Sequence, residues 1–161
     1  MLIWPIAETS AASTDTPWLH AMEWASRFHV LTAHFPIALL LAAALAEGWA
    51  VWRRDSTPSP TVRFCLWTGT AGALITAALG WPHAVLTGFG DIEGSSLQWH
   101  RLIGTFAALL AVATLAIGER NQKNPHLRLA FRALLFTLAI LIAVTGHLGG
   151  LLTHGEDFLK W

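Results

Sequence analysis

Residues 127–152 read LRLAFRALLFTLAILIAVTGHLGGLL, and after Arg132 this stretch holds no Asp, Glu, Lys or Arg. A run of that length meets the ~20 apolar residues an α-helix needs to cross the hydrocarbon core of a bilayer. Working outward, three more stretches of the same kind appear at Thr32–Trp52, Val62–Leu86 and Leu97–Ile117. Their separators are short and polar, at Arg53–Pro60, Thr87–Ser96 and Gly118–Pro125. Short connections make sequential helices antiparallel neighbours, so the sequence predicts an all-α, integral membrane, antiparallel four-helix bundle.

Composition agrees with lipid as the solvent. Of 161 residues, 54% are hydrophobic and 12% charged, which is more apolar surface than a small soluble domain can bury. The formal net charge is +0 and Lys+Arg number 10, so no basic surface is available to track a phosphate backbone, and no nucleic-acid partner is expected. Cys65 is the one cysteine, which rules out an intramolecular disulfide and a C-x-x-C-H attachment of haem. With only Met1 and Met22, a methionine-rich copper site is not expected.

The chain divides into residues 1–31, a tail with an interfacial helix or surface turn at Trp18–Trp24, and residues 32–161, the four-helix transmembrane domain. Met1–Pro17 lacks a positive charge and a signal-length apolar core, so it reads as a retained tail. Asn124 followed by Pro125 forms a cap and first-turn pair for the last helix, and Ser95 or Ser96 caps the third. Pro36 is expected in the first turns of helix one.

Charge sets the orientation. The side holding the first and third connections gathers Arg53, Arg54, Arg63, Arg120, Lys123, Arg128 and Arg132, while the other side has Arg27, Arg101 and Lys160. By the positive-inside rule the first side faces the cytoplasm, and both termini face the periplasm of a bacterial inner membrane. Glu47 is expected to pair with Arg63 or to snorkel, and Arg128 and Arg132 to fix topology.

The threading has one chemical consequence. His29 and His34 open the first span, His83 closes the second, His100 opens the third, and His147 and His154 close the fourth, so six of eight histidines share the outer end. At ~1.5 Å of rise per residue, His34 and His147 lie roughly 7–9 Å below the boundary and His83 and His100 roughly 5 Å below it. Several imidazoles converging inside a membrane bundle point to a bound metal group, above all a b-type haem whose iron takes two neutral imidazoles from facing helices. His34, His100, His147 and His154 are the expected ligands. His34 is matched to His147 by depth for one haem b, and His100 with His154 would serve a second. Arg101 is expected either to meet a propionate or to serve as an interfacial anchor. Small residues on helix two (Gly69, Gly72, Thr76, Gly80), and likewise on helices three and four, would wall either a macrocycle or a packing seam. For His29 and His83 the plainer reading is an interfacial imidazole bonded to a carbonyl. His20 and His126 read as solvated.

The string His34-Phe35-Pro36-Ile37-Ala38-Leu39-Leu40 with His29 before it, His100-Arg101, and Gly146-His147-Leu148-Gly149-Gly150-Leu151-Leu152-Thr153-His154-Gly155 resemble a family of bacterial four-helix membrane domains of unassigned function. Members are sometimes fused to c-type cytochrome domains, and the likeness spans about Phe28 to Trp161. The resemblance implies a redox setting around those histidines. With no c-type domain in this chain, the implied electron partner is a c-type cytochrome or another redox subunit at the outer face, with the chain standing as an oligomer or as part of a larger membrane complex. The expected activity is therefore electron transfer rather than enzymatic turnover. Two rival expectations remain: Cu or Zn held by the same imidazoles at the periplasmic face, and a non-redox accessory subunit.

Overall fold

A computed structural model of the protein describes residues 16–55, 59–86 and 95–155, and these are helical almost throughout. The elements are α1 (Pro17–Ser26), α2 (Phe28–Trp52), α3 (Pro60–Leu86), α4 (Ser95–Asn121) and α5 (Arg128–His154), with a 3₁₀ turn at Pro125–Leu127 leading into α5. α2 to α5 are each long and apolar enough to cross a membrane, which makes this a multi-pass membrane protein. The tail before residue 16, the acidic connection at 87–94 and the chain after 155, on which part of the charge count rests, lie outside the described residues.

Contacts between helices run in opposite senses. Going up α3, Gly69, Gly72 and Gly80 meet Leu40, Pro36 and His29, going down α2. Gly104 and Gly118 of α4 meet Thr145 and Phe131 of α5 in the same inverted order, and Thr70 of α3 donates to Ala111 O of α4 at 3.4 Å. α2 also packs on α5, which closes the ring of four. In lipid no hydrophobic force drives helices together, so close approach at small residues has to hold the bundle. A Cβ on Gly69 would stand 2.9 Å from Leu40 Cδ2, so the missing side chain is what lets α2 and α3 pack at this depth. Leu40, Leu66, Leu135 and Leu138 fill the middle, with Ala43, Ala107, Ala108 and Ala111 between them.

Local signals explain the ends. Asn124 accepts from His126 N at 3.2 Å and caps the 3₁₀ turn, with Pro125 supplying a fixed φ and no surplus donor. The stretch expected as a helix or a turn is helical, as α1, and it is not separated from the bundle. Only Arg27 stands between α1 and α2, its N–H bonded three residues back to Trp24 O, and the expected boundary at 31/32 falls inside α2. Pro36 accordingly lies eight residues into α2, not in its first turns. It costs the helix a backbone hydrogen bond, and its ring packs where a Cβ on Gly72 would stand, 3.2 Å from Pro36 Cδ.

The far end of the bundle from the histidines corrects two expectations. Glu47 is 1% exposed and neither snorkels nor pairs with Arg63. Its Oε1 accepts from Arg132 Nε at 2.8 Å and from Arg128 at 3.0 Å, so those two arginines bind α5 to α2 as well as adding positive charge. Arg63 instead makes a two-pronged pair with Glu119, at 2.7 and 2.9 Å, and Trp67 Nε1 donates to the same carboxylate at 2.9 Å.

Candidate functional site

At the histidine end the four long helices part around a cavity of about 310 Å³ with chiefly apolar walls. That is the lower end of the ~300–1,000 Å³ typical of ligand pockets. Five imidazoles line it: His29 and His34 from α2, His83 from α3, His100 from α4 and His154 from α5. Arg101 lines it as well.

Three of the four expected ligands, His34, His100 and His154, therefore share one cavity. His147 does not: it is exposed and absent from the cavity wall, whereas Gly146, Gly149 and Gly150 of the same helix belong to it. The two histidines given the plainer reading, His29 and His83, are both in the wall. His29 is the most central of the set, its ring centroid 6.1 Å from His83 and 6.2 Å from His100. Its ring also keeps the carbonyl bond of that plainer reading, so the two roles are combined in one residue.

Four of the rings have a main-chain carbonyl within reach of Nδ1. His29 Nδ1 lies 2.8 Å from Thr76 O, His34 Nδ1 2.8 Å from Val30 O, and His100 Nδ1 3.1 Å from Thr145 O. His154 Nδ1 lies 3.2 Å from Gly150 O. A carbonyl only accepts, so in His29, His34 and His100 the neutral ring carries its proton on Nδ1 and keeps the lone pair on Nε2. This is how a backbone acceptor fixes the tautomer and orientation of an imidazole ligand. His154 Nδ1, by contrast, lies nearer to the Thr153 hydroxyl, at 2.8 Å, which can donate to it. His83 Nδ1 is 3.4 Å from Ser26 Oγ, which itself donates to Glu23 O at 2.7 Å and ties α1 to the rim.

The glycines do three different jobs. Gly69 and Gly72 are a packing seam for Leu40 and Pro36. Gly80 and Gly149 make room for imidazoles: a Cβ would stand 2.7 Å from His29 Cε1 and 3.1 Å from His100 Cε1 respectively. Gly150 faces open space in the cavity wall, with nothing within 4 Å of a Cβ.

Arg101 lies with its guanidinium 3.9 Å over the Trp81 ring, and Trp81 Nε1 donates to Thr105 at 3.2 Å. Arg101 Nε is buried and has no hydrogen-bond partner among the described residues. A cation with an unused buried donor in an apolar wall suits an anionic or carbonyl-bearing edge of a ligand.

The donor set discriminates between bound groups. Among the described residues no three of His, Cys, Asp and Glu stand together as a ready site for a metal ion. A bare Zn²⁺ or Cu²⁺ asks for three or four such donors, but haem iron brings four of its own and asks for two. With metal–nitrogen bonds of ~2.0–2.1 Å, two imidazoles sharing one metal have centroids roughly 5 Å apart in tetrahedral and roughly 6.5 Å apart in trans geometry, and both His29–His83 at 6.1 Å and His29–His100 at 6.2 Å fall near the trans value. The imidazoles present are compatible with a group that, like haem, asks the protein for two nitrogen ligands.

Comparison with protein-family models, curated proteins and solved structures finds no match to this chain.

Proposed function

We propose that this protein is a membrane electron-transfer subunit that holds haem b in the imidazole-lined cavity at the periplasmic end of its bundle. The observation that carries the reading is the convergence of imidazoles from four helices, with Nδ1 of the α2 and α4 rings tied to a main-chain carbonyl, on a single apolar cavity. His29 and His100 are the favoured ligand pair, and His34 and His154 stand in the same wall. When bound, the haem supplies one-electron chemistry between its iron and a neighbouring centre. The chain's own residues do the rest. Thr76 O and Thr145 O fix the two rings, the apolar walls exclude water, and Arg101 meets the anionic edge.

Orientation follows from the arginines at the other end, which the positive-inside rule assigns to the cytoplasm. The redox setting implied by the family resemblance makes a c-type cytochrome or another redox subunit the partner, approaching from the periplasm. The test is the absorption spectrum of the purified protein. A Soret band whose visible companions sharpen on reduction supports the reading, and its absence from protein produced with ample haem removes it.

A further inference from the structure

At the end of the bundle far from the imidazoles, two buried oxygens share a problem. Glu47 is 1% exposed and Asn121 4%. Oε1 of Glu47 is taken up by Arg128 and Arg132, but Glu47 Oε2 and Asn121 Oδ1 have no hydrogen-bond partner among the described residues. Both residues line one cavity of about 10 Å³. An acceptor buried without a donor costs ~1–3 kcal/mol, and more when it is charged.

The chemistry of the walls selects the occupant. Two acceptors require donors, which rules out an anion. Arg63 and Arg128 line the same cavity as Glu47 and Glu119, so the wall charges balance and favour a neutral occupant. A space of ~10–15 Å³ holds one water, whose two O–H groups match two acceptors and whose lone pairs suit the neighbouring guanidinium groups. We infer that one water molecule is bound between Glu47 and Asn121, donating to Glu47 Oε2 and Asn121 Oδ1. It completes the hydrogen bonding of the Glu47 carboxyl group and joins α2 to α4 at the level where the arginines join α2 to α5. The inner end is thereby cross-linked on three helices, a fixed base beneath the cavity at the other end.

Asn121 and Asn124 are the only asparagines in the chain, which makes the test clean. In the full-length protein in lipid nanodiscs, labelled with ¹⁵N-asparagine, the side-chain amide of Asn121 is expected to show a cross-peak to a long-lived water, while exposed Asn124 meets only bulk solvent. A water-resolving structure of the same protein is expected to place a density peak at ~2.7–3.2 Å from both oxygens. Asn121 without a long-lived water contact, or a structure in which its amide nitrogen donates directly to Glu47, would overturn the inference.

Discussion

A Cβ built on Gly80 would stand 2.7 Å from Cε1 and 2.9 Å from Nδ1 of His29, so the imidazole occupies the space that any larger residue at position 80 would take. The pair joins α3 to α2 at the height of the cavity, and it makes His29 the centre of the imidazole group. Gly80→Ala gains ~1 kcal/mol of helix propensity, which overpacking outweighs at ~1–3 kcal/mol, together with the loss of the His29–Thr76 bond at ~1 kcal/mol. Its melting temperature is expected below wild type. Gly150→Ala meets open space and is expected at or slightly above wild type. Equal melting of the two variants in thermal scans would show that the fit is not tight.

The ion-pair hub gives a second contrast. Glu47→Ala leaves two guanidinium groups facing a carboxylate that has gone, and breaking such a buried pair costs ~3–5 kcal/mol. Glu119→Ala, which frees Arg63 at an exposed rim, is expected to shift the melting temperature far less, because solvent screens that pair. Replacing Glu47, Arg128 and Arg132 together by apolar residues of similar size is expected to recover much of the loss. A thermal scan in which Glu119→Ala is as damaging as Glu47→Ala contradicts this ranking.

How much of this the sequence disclosed depends on what a linear pattern encodes. Span lengths and caps are local properties: the four spans form close to where the sequence places them, α2 starting earlier at Phe28, and Asn124 caps a 3₁₀ turn that leads into α5 rather than the helix itself. Depth along a helix is also linear, so the histidines were legible as one layer. Direction around a helix is not, because it depends on how each helix is rotated against its neighbours. His147 lies two residues beyond Thr145, about 200° around the helix, which carries it off the wall that Thr145 and Gly149 form. Depth favours His34 over His29, which lies five residues or roughly 7.5 Å nearer the helix start, yet it is the His29 ring that stands between His83 and His100. Glu47 did carry a signal: it continues the buried positions Pro36, Leu40, Ala43 and Ala44 at helical spacing, and a carboxylate in that stripe needs a partner one helix away.

The cofactor reading makes a residue-specific prediction. His100→Ala and His29→Ala are each expected to abolish or shift the haem spectrum, since each removes a ring held by a backbone carbonyl inside the cavity. His147→Ala and His126→Ala, on exposed residues, are expected to keep it. Loss of the spectrum in His147→Ala with retention in His29→Ala would return the assignment to the pair matched by depth alone.

Topology is open to a separate test. With Cys65 replaced by Ser, a single cysteine at Ser59 is expected to react with a membrane-impermeant maleimide only after the inner membrane of spheroplasts is opened. One at Thr153, at the histidine end, is expected to react from the outside in intact spheroplasts. The reverse pattern would place the imidazole cavity at the cytoplasmic face and remove a periplasmic partner.

Arg101 separates a cofactor-binding role from mere anchoring at the interface. Stacked on Trp81, it gains ~0.5–2 kcal/mol whether or not a ligand is present, so its stacking alone says nothing about the cavity. Its unused buried Nε is different, because a donor left unpaired is a standing cost that an anionic edge would relieve. A charge-assisted bond of ~1.5–3 kcal/mol corresponds to roughly 10- to 100-fold in affinity. Arg101→Gln is therefore expected to release haem that much faster to an excess of a haem-scavenging apoprotein, and Arg101→Lys to fall between, since a lysine keeps the charge without the planar fork. Arg27→Gln, which loses only an exposed pair with Glu23, is the matched control and is expected to release haem at the wild-type rate. Equal release from Arg101→Gln and Arg27→Gln would make Arg101 an interfacial anchor and leave the anionic edge of the cofactor without a protein partner.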